Sequence, residues 1–273
     1  MSIQFVTNEK IAETSSKGNQ EKWRDGTRWY KLDQFGYEAL TETLISRLLE
    51  KSNIEADTPF RFTRYRMERM NVHENERTGC SSENFLKAGQ SIITLSHLFK
   101  KTEATPLRDI LAKLPSDKKR IRYLAEATAE YTGLGKFPQY LTLLFEIDGL
   151  FLNDDRHLNN IAVLEQDGLY DYCPIFDNGA GLLSNTQLSP MDIMPKALIE
   201  ARHARPFNIS FNRQVGTACG LYGRQLSIPV LTRDRICDEL QPLLLYYSPR
   251  DRGIITDRVV ETILVRQKYY INH

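Results

Sequence analysis

The most apolar stretch of the chain, residues 140–152, leads directly into one of the most polar, Asn153-Asp154-Asp155-Arg156-His157. Glu146 and Asp148 interrupt the apolar run, which falls short of the roughly 20 residues a membrane-spanning helix needs. Residues 138–152 therefore read as a helix buried in the protein's own core, delivering a polar loop to the edge of that core. Beyond the loop, residues 161–164 and 169–175 read as two strands around Asp167-Gly168, a turn pair that favours a β-hairpin. A buried helix, a charged loop and a hairpin, in that order, set the middle of the fold.

The flanking sequence divides in character. Toward the N-terminus, residues 3–5 and 27–32 are β-prone and 14–20 are turn-rich. Residues 59–65 and 78–85 read as further strands, with 71–77 as a charged loop between them. One early helix is expected over 37–51, where Leu40, Leu44, Ile45, Leu48 and Leu49 recur at helical spacing. After Ser91 helical patterns dominate, at 106–114, 118–131, 194–205, 211–221, 232–247 and 256–270, with Ser116 as a helix cap. A small β-rich part ahead of a larger helical part predicts an α+β fold of two lobes, residues 1–86 and 87–273, meeting at a cleft.

With 36 basic against 35 acidic side chains the formal charge is +1, so no global field draws the chain to nucleic acid or anionic lipid. Cys80, Cys173, Cys219 and Cys237 are widely spaced and form no CxxC pair. They read as reduced thiols, not as a disulfide framework or a zinc site. The N-terminus shows no basic segment ahead of an apolar one. The expectation is a soluble, cytoplasmic chain, with specialised secretion left open.

The polar loop and a second turn, Phe176-Asp177-Asn178-Gly179, carry the residue types that phosphoryl transfer needs. That reaction places a carboxylate near the acceptor hydroxyl and cations around a group bearing several negative charges. Asp155 and Asn160 stand five residues apart across the loop, so one can face the acceptor while the amide oxygen of the other faces a metal. Asp177, on the far arm of the hairpin, can complete a Mg2+ site, since that ion takes few protein oxygens beside phosphate and water. Gly179 permits a sharp turn after it. Arg156 and His157 are expected beside the reacting group, offsetting developing charge.

In Asp155-Arg156-His157-x-x-Asn160 followed by Phe176-Asp177, the sequence resembles the HipA-like serine/threonine protein kinases, whose catalytic core is akin to that of the phosphatidylinositol kinases. Ser15-Ser16-Lys17-Gly18-Asn19, Tyr30-Lys31, residues 78–86 and Ala204-Arg205-Pro206-Phe207 are similar to a compact CtkA-type subgroup. The resemblance implies a two-lobed kinase using ATP and Mg2+, with Asn160 and Asp177 as metal ligands and Asp155 at the acceptor hydroxyl. In such loops the acceptor-side Asp stands five residues before the metal-binding Asn, which selects Asp155 over Asp154. Lys31 is then the lysine that grips the α- and β-phosphates. Its carboxylate partner is Glu38 or Glu42, one turn apart on the early helix, and Glu42 lies nearer the apolar stripe. The segment from Thr14 to Asn19 is the implied phosphate cradle, through backbone N–H groups, Ser15, Ser16 and Lys17 beside its one glycine, Gly18. Autophosphorylation of either serine would add negative charge beside the nucleotide and repel it. Residues 81–85 are expected to join the lobes. Relative to HipA itself the chain is short at the N-terminus, so no antitoxin-binding role resting on the extra N-terminal subdomain is implied. Any other antitoxin partner stays open.

The same loop also resembles lipid kinases, so a small-molecule or lipid kinase is the alternative reading, and a non-catalytic pseudokinase module is another. No convincing basic amphipathic helix favours a membrane. The physiological protein substrate is not legible. Arg61, Arg64, Arg66 and Arg69 interleave with Phe60, Phe62 and Tyr65 as in some single-stranded nucleic-acid surfaces, but a half-buried strand explains the alternation. Tyr246, Tyr247, Tyr269 and Tyr270 are expected to be packing residues.

Overall fold

The computed structural model describes residues 4–6, 21–72 and 74–271. Strands β1 (Gln4–Val6), β2 (Lys22–Asp25), β3 (Arg28–Leu32), β4 (Tyr65–Val72) and β5 (Asn75–Glu83) build one sheet in the order β1-β4-β5-β3-β2. Only β1 and β4 run parallel within it. The expected loop over 71–77 is instead the tight end of the β4–β5 hairpin, whose register runs from Tyr65↔Ser82 to Val72↔Asn75. Its charges form a ladder across the strands. Arg69 meets Glu76 at 2.6 Å, a cross-strand pair that supports pairing and does not break it.

Helix α1 (Glu38–Leu49) crosses this sheet with every residue but Arg47 buried. Its start is tied down by side chains: Asp33 Oδ1 accepts from the Ala39 N–H at 2.6 Å, and Glu38 accepts from Phe35 and Gly36 N–H at 2.9 and 3.1 Å. Asp33 satisfies a donor that the helix N-terminus leaves over, and Glu38 fixes the turn that leads into it. Gly36 pairs as a bridge with Asn185, and a Cβ there would fall 2.0 Å from the Ser184 carbonyl oxygen, so only glycine fits.

Of the strand expected over 59–65, only Tyr65 joins the sheet, as the first residue of β4. The rest cross toward the helical part, where Thr63 N–H donates to the Ile175 carbonyl at 2.8 Å and Ile175 N–H to that of Arg61 at 2.7 Å. Phe60, Phe62, Thr63 and Tyr65 are buried. The four arginines pair with surface carboxylates: Arg61 with Asp171, Arg64 with Glu50 and Glu55, Arg66 with Glu83, and Arg69 with Glu76.

Strand β5 continues through Glu83, so the connection expected over 81–85 runs over 84–90. It leads to β6 (Ser91–Thr94), a strand where helix was expected. With β7 (Ala162–Gln166) and β8 (Leu169–Tyr172), β6 makes a second antiparallel sheet, β6-β7-β8. Asp167 and Gly168 both stand at left-handed φ, +52° and +80°, as a two-residue hairpin turn requires.

The remaining elements are helical: α2 (Ile54–Asp57), α3 (Leu95–Thr102), α4 (Leu107–Lys113), α5 (Asp117–Thr132), α6 (Phe137–Phe151), α7 (Pro195–Ala201), α8 (Phe211–Tyr222), α9 (Arg233–Leu244) and α10 (Pro249–Ile271). Ser116 caps α5 as expected, accepting from Lys119 N–H at 3.3 Å. Helix α10 starts at Pro249, well before residue 256, because Pro is favoured at the first helical position and the Ser248 hydroxyl meets Asp251 at 2.9 Å. Helix α6 is buried on every face except at Gln139, and it anchors a core continuous with α1, α5, α9 and α10. Among the described residues no helix is long and apolar enough to cross a membrane.

Candidate active site

Alternation along β3 sends Tyr30 and Leu32 into a small core with Trp23, Met70 and Val72, and turns Lys31 to the other face, toward α1. There its Nζ lies 2.5 Å from Glu42 Oε1 and 2.7 Å from Asp177 Oδ1, across 11 and 146 residues of chain. It also stands 5.2 Å from the centroid of the Tyr65 ring. Burial opposes its charge, but Asp177 and Glu42 hold the Lys31 pKa well above that of an ordinary lysine. Burial also works against Asp177, yet Lys31 and Lys22 keep its carboxyl well below the usual range. Burial raises the Glu42 pKa against the pull of Lys31. Glu38, the other candidate partner, does not reach Lys31. Its oxygens are spent on Phe35 and Gly36 N–H groups.

The turn after Ile175 is strained at Asp177, whose φ is +63°, an unusual conformation for a residue with a Cβ. Gly179 therefore is not the residue that makes the turn. Its lack of a side chain serves contact instead, since a Cβ there would sit 3.3 Å from Glu42 Cγ. The Asn178 N–H donates to Glu42 Oε2 at 2.9 Å, so one carboxylate ties β3 and the Asp177 turn to α1.

Arg156 departs from its expected role. It is fully buried, and its five N–H groups are consumed by Asp148, Asn178 Oδ1 and the carbonyls of Asn160 and Phe176, at 2.7 to 3.2 Å. A guanidinium so saturated cannot offset charge on a transferring group. It locks the polar loop to the end of α6 and to the Asp177 turn. Asp148, whose carboxyl burial pushes up and Arg156 pulls down, also accepts from Asn153 Nδ2 at 2.9 Å. The signal was present in the sequence: a charge inside so apolar a helix persists only when paired.

Asp154 and Asp155 diverge. Asp154 binds Arg202 at 2.8 Å, whereas the Asp155 side chain is 60% exposed and, among the described residues, its basic neighbour is the His157 ring, with Nε2 at 3.9 Å. Partial burial raises the Asp155 pKa, with His157 opposing. His157 Nδ1 is buried and, among the described residues, has no hydrogen-bond partner. Asn160 donates through Nδ2 to the Asp155 carbonyl at 2.9 Å, which orients its amide and leaves Oδ1 to act as a ligand. One ionised carboxylate, Asp177, and one amide oxygen, Asn160, form a hard-oxygen donor set that suits Mg2+ sharing its shell with phosphate and water. Among the described residues no three His, Cys, Asp or Glu side chains gather to hold a metal unaided.

Ser15, Ser16, Lys17, Gly18 and Asn19, the expected phosphate cradle, lie outside the described residues. Sequence reasoning missed Lys22, which is paired with Lys31 across β2 and β3 and feels the Asp177 charge. It also missed Tyr65, under Lys31, and Arg202, which holds Asp154. Lys22 sits one strand register from Lys31, a relation that only the hairpin reveals.

No family model matches the chain, and no curated protein matches it. Among solved structures, the Helicobacter pylori proinflammatory kinase CtkA superposes with a TM-score of 0.60 over 93% of this chain and 89% of that one, at 13% identity. The chain has the two-lobed fold of that kinase. The Shewanella oneidensis toxin–antitoxin protein HipA, solved with HipB and operator DNA, also matches at 14% identity, with a TM-score of 0.47 over 94% of this chain and 65% of that one. In such a fold the β1–β5 sheet with α1 is the small lobe, and the helices with the β6–β8 sheet are the large one.

Proposed function

We propose that the chain is an ATP- and Mg2+-dependent kinase that transfers the γ-phosphoryl group to a serine or threonine hydroxyl of a protein, as in HipA-like enzymes, with its lobes divided near residue 86. The observation that carries this reading is the Glu42–Lys31–Asp177 chain of ion pairs, which joins two carboxylates and a lysine from separate elements at the mouth of a loop bearing an open carboxylate. In this reading Lys31 holds the α- and β-phosphates, and Glu42 orients it. Lys22 adds positive charge on the phosphate side. Asp177 and Asn160 hold Mg2+, which would neutralise charge on the phosphates. Asp155 orients the acceptor hydroxyl and takes its proton, and His157 stands beside it. A loose transition state asks mainly for positioning and charge stabilisation, so Asp155 need not be a strong base.

Incubation of the purified protein with labelled ATP, Mg2+ and dephosphorylated casein tests the proposal. Label on casein or on the protein itself is expected, and Lys31→Ala should remove it, read on variant protein shown folded by circular dichroism because the truncation strands the buried Glu42 carboxylate. Label only on a lipid or metabolite would replace this reading with the small-molecule alternative. No label under any condition would leave a binding module.

A further inference from the structure

The stretch after the Asp177 turn follows a course that costs energy. Leu182 and Leu183 stand at φ +53° and +60°, adjacent non-glycine residues in the left-handed region. Each is pinned by its backbone. Leu182 N–H donates to the Phe151 carbonyl at 2.8 Å, and its carbonyl accepts from the Tyr37 hydroxyl at 2.8 Å. Leu183 O accepts from Arg258 Nη2 at 3.1 Å.

Arg258, on α10, is 2% exposed, and its hydrogen bonds go to the Tyr37 hydroxyl and to the carbonyls of Leu183, Ser189 and Pro190, at 2.8 to 3.3 Å. Among the described residues no carboxylate pairs with it. A buried guanidinium without a counter-ion is held in place by its carbonyl cage, so the cage and the arginine fix each other. Ser189 then links it onward. The Ser189 hydroxyl accepts from Arg202 Nη2 at 2.5 Å, the Leu188 carbonyl accepts from the same nitrogen at 2.6 Å, and Arg202 Nη1 holds Asp154 at 2.8 Å. An unbroken line of contacts thus runs from α10 to the residue preceding Asp155.

We propose that Arg258 is a positioning residue for phosphoryl transfer: with Tyr37 it clamps residues 182–190 in their strained course, and through Ser189 and Arg202 it sets Asp154, and so Asp155, against the acceptor. This rests on the kinase reading above. The clamp orders the segment without any phosphate. Its three hydroxyls are already used, Ser184 on the Gly179 carbonyl at 2.5 Å, Thr186 on that of Phe35 at 2.6 Å, and Ser189 on Arg202. The clamp therefore needs no phosphate on Ser184, Thr186 or Ser189 to hold this segment in place.

Arg258→Lys keeps the charge and loses the fork that reaches three carbonyls. Tyr37→Phe keeps the ring and loses the shared hydroxyl. In both, amide hydrogen exchange over residues 180–190 should quicken by at least about tenfold, with α6 and the β4–β5 hairpin unchanged. Turnover on casein should fall about ten- to a hundredfold at saturating ATP, the loss expected of a misplaced loop, while ATP affinity by calorimetry stays within about twofold. Exchange that quickens evenly across the molecule, or turnover that follows the folded fraction alone, would overturn the proposal. Wild-type protein that labels no acceptor would sink the kinase reading, and the exchange pattern alone would then decide whether the clamp exists. Mass spectrometry showing that wild-type turnover requires phosphate on Ser184, Thr186 or Ser189 would contradict it outright.

Discussion

Two adjacent carboxylates show how much one neighbour decides. Asp154 is drawn to Arg202 and Asp155 is left open, so the proposed acceptor-side role belongs to Asp155. Asp155→Asn should lower kcat by about 10²–10⁴, the range for a lost acid–base group, with ATP affinity kept. Asp154→Asn, which keeps an oxygen to accept from Arg202 but loses the charge of that anchor, should cost about tenfold, the low end of the loss expected when Asp155 is displaced. Single-turnover transfer by the two variants compares them, and a dead Asp154→Asn beside an active Asp155→Asn would place the loop one residue out of register. Arg156 makes the opposite kind of claim. Because it is fully buried against Asp148, truncation strands a charge, and Arg156→Ala should lose about 3–5 kcal/mol of stability in urea unfolding. A variant of unchanged stability and low kcat would restore Arg156 to the reacting group. The order of Asp, Arg, His and Asn was plain in the sequence. Which of them faces solvent was not, because exposure depends on what packs behind the loop.

At the scale of elements, α1 carries the most consequence. It presents Glu42 to Lys31, and its start rests on Asp33 and Glu38. Asp33 Oδ2 accepts from the Tyr247 hydroxyl at 2.6 Å, joining the end of β3 to the turn between α9 and α10. Burial raises the Asp33 pKa to about 8, against the pull of Tyr247 and of the Ala39 N–H. An acid whose pKa is higher folded than unfolded binds more protons in the native state between the two values. Stability should therefore fall as pH rises from about 4 to 8, with this group adding a slope of up to about 1.4 kcal/mol per pH unit. Asp33→Asn should flatten that slope, read from urea unfolding at pH 5, 6, 7 and 8. Equal slopes in both proteins would show Asp33 ionised throughout. The helical spacing of Leu40, Leu44, Ile45 and Leu48 made α1 legible. The true extent of the β4–β5 hairpin was not, because its charges read as a loop until they meet across the strands, and strand β6 was not, because its four residues are held by β7 far along the chain. Tyr247, expected only to pack, is a hydrogen-bond donor for the same reason.

For the whole molecule the proposal is that nucleotide binds between the lobes and stabilises them together. Mg-ATP at a hundredfold excess over its Kd should add about 2.7 kcal/mol to the folded state. Asp177→Ala should abolish the part of that gain that Mg2+ supplies, and Asp155→Asn should retain it. Thermal unfolding with ATP, with and without Mg2+, measures both, and equal loss in the two variants would contradict the division between metal and acceptor sides. The sequence by itself determined the α+β order of elements, the buried helix that ends at the polar loop, and the residue types of the site, because hydrophobic period and motif spacing are local properties. Tertiary structure alone decided that Glu42 and not Glu38 meets Lys31, that Lys22 and Tyr65 join it, that Arg156 is walled in, and that Arg258 reaches the loop from α10. Those outcomes are set by burial and by contacts across as many as 221 residues, where the free energy of pairing a charge depends on which other charges the fold brings beside it.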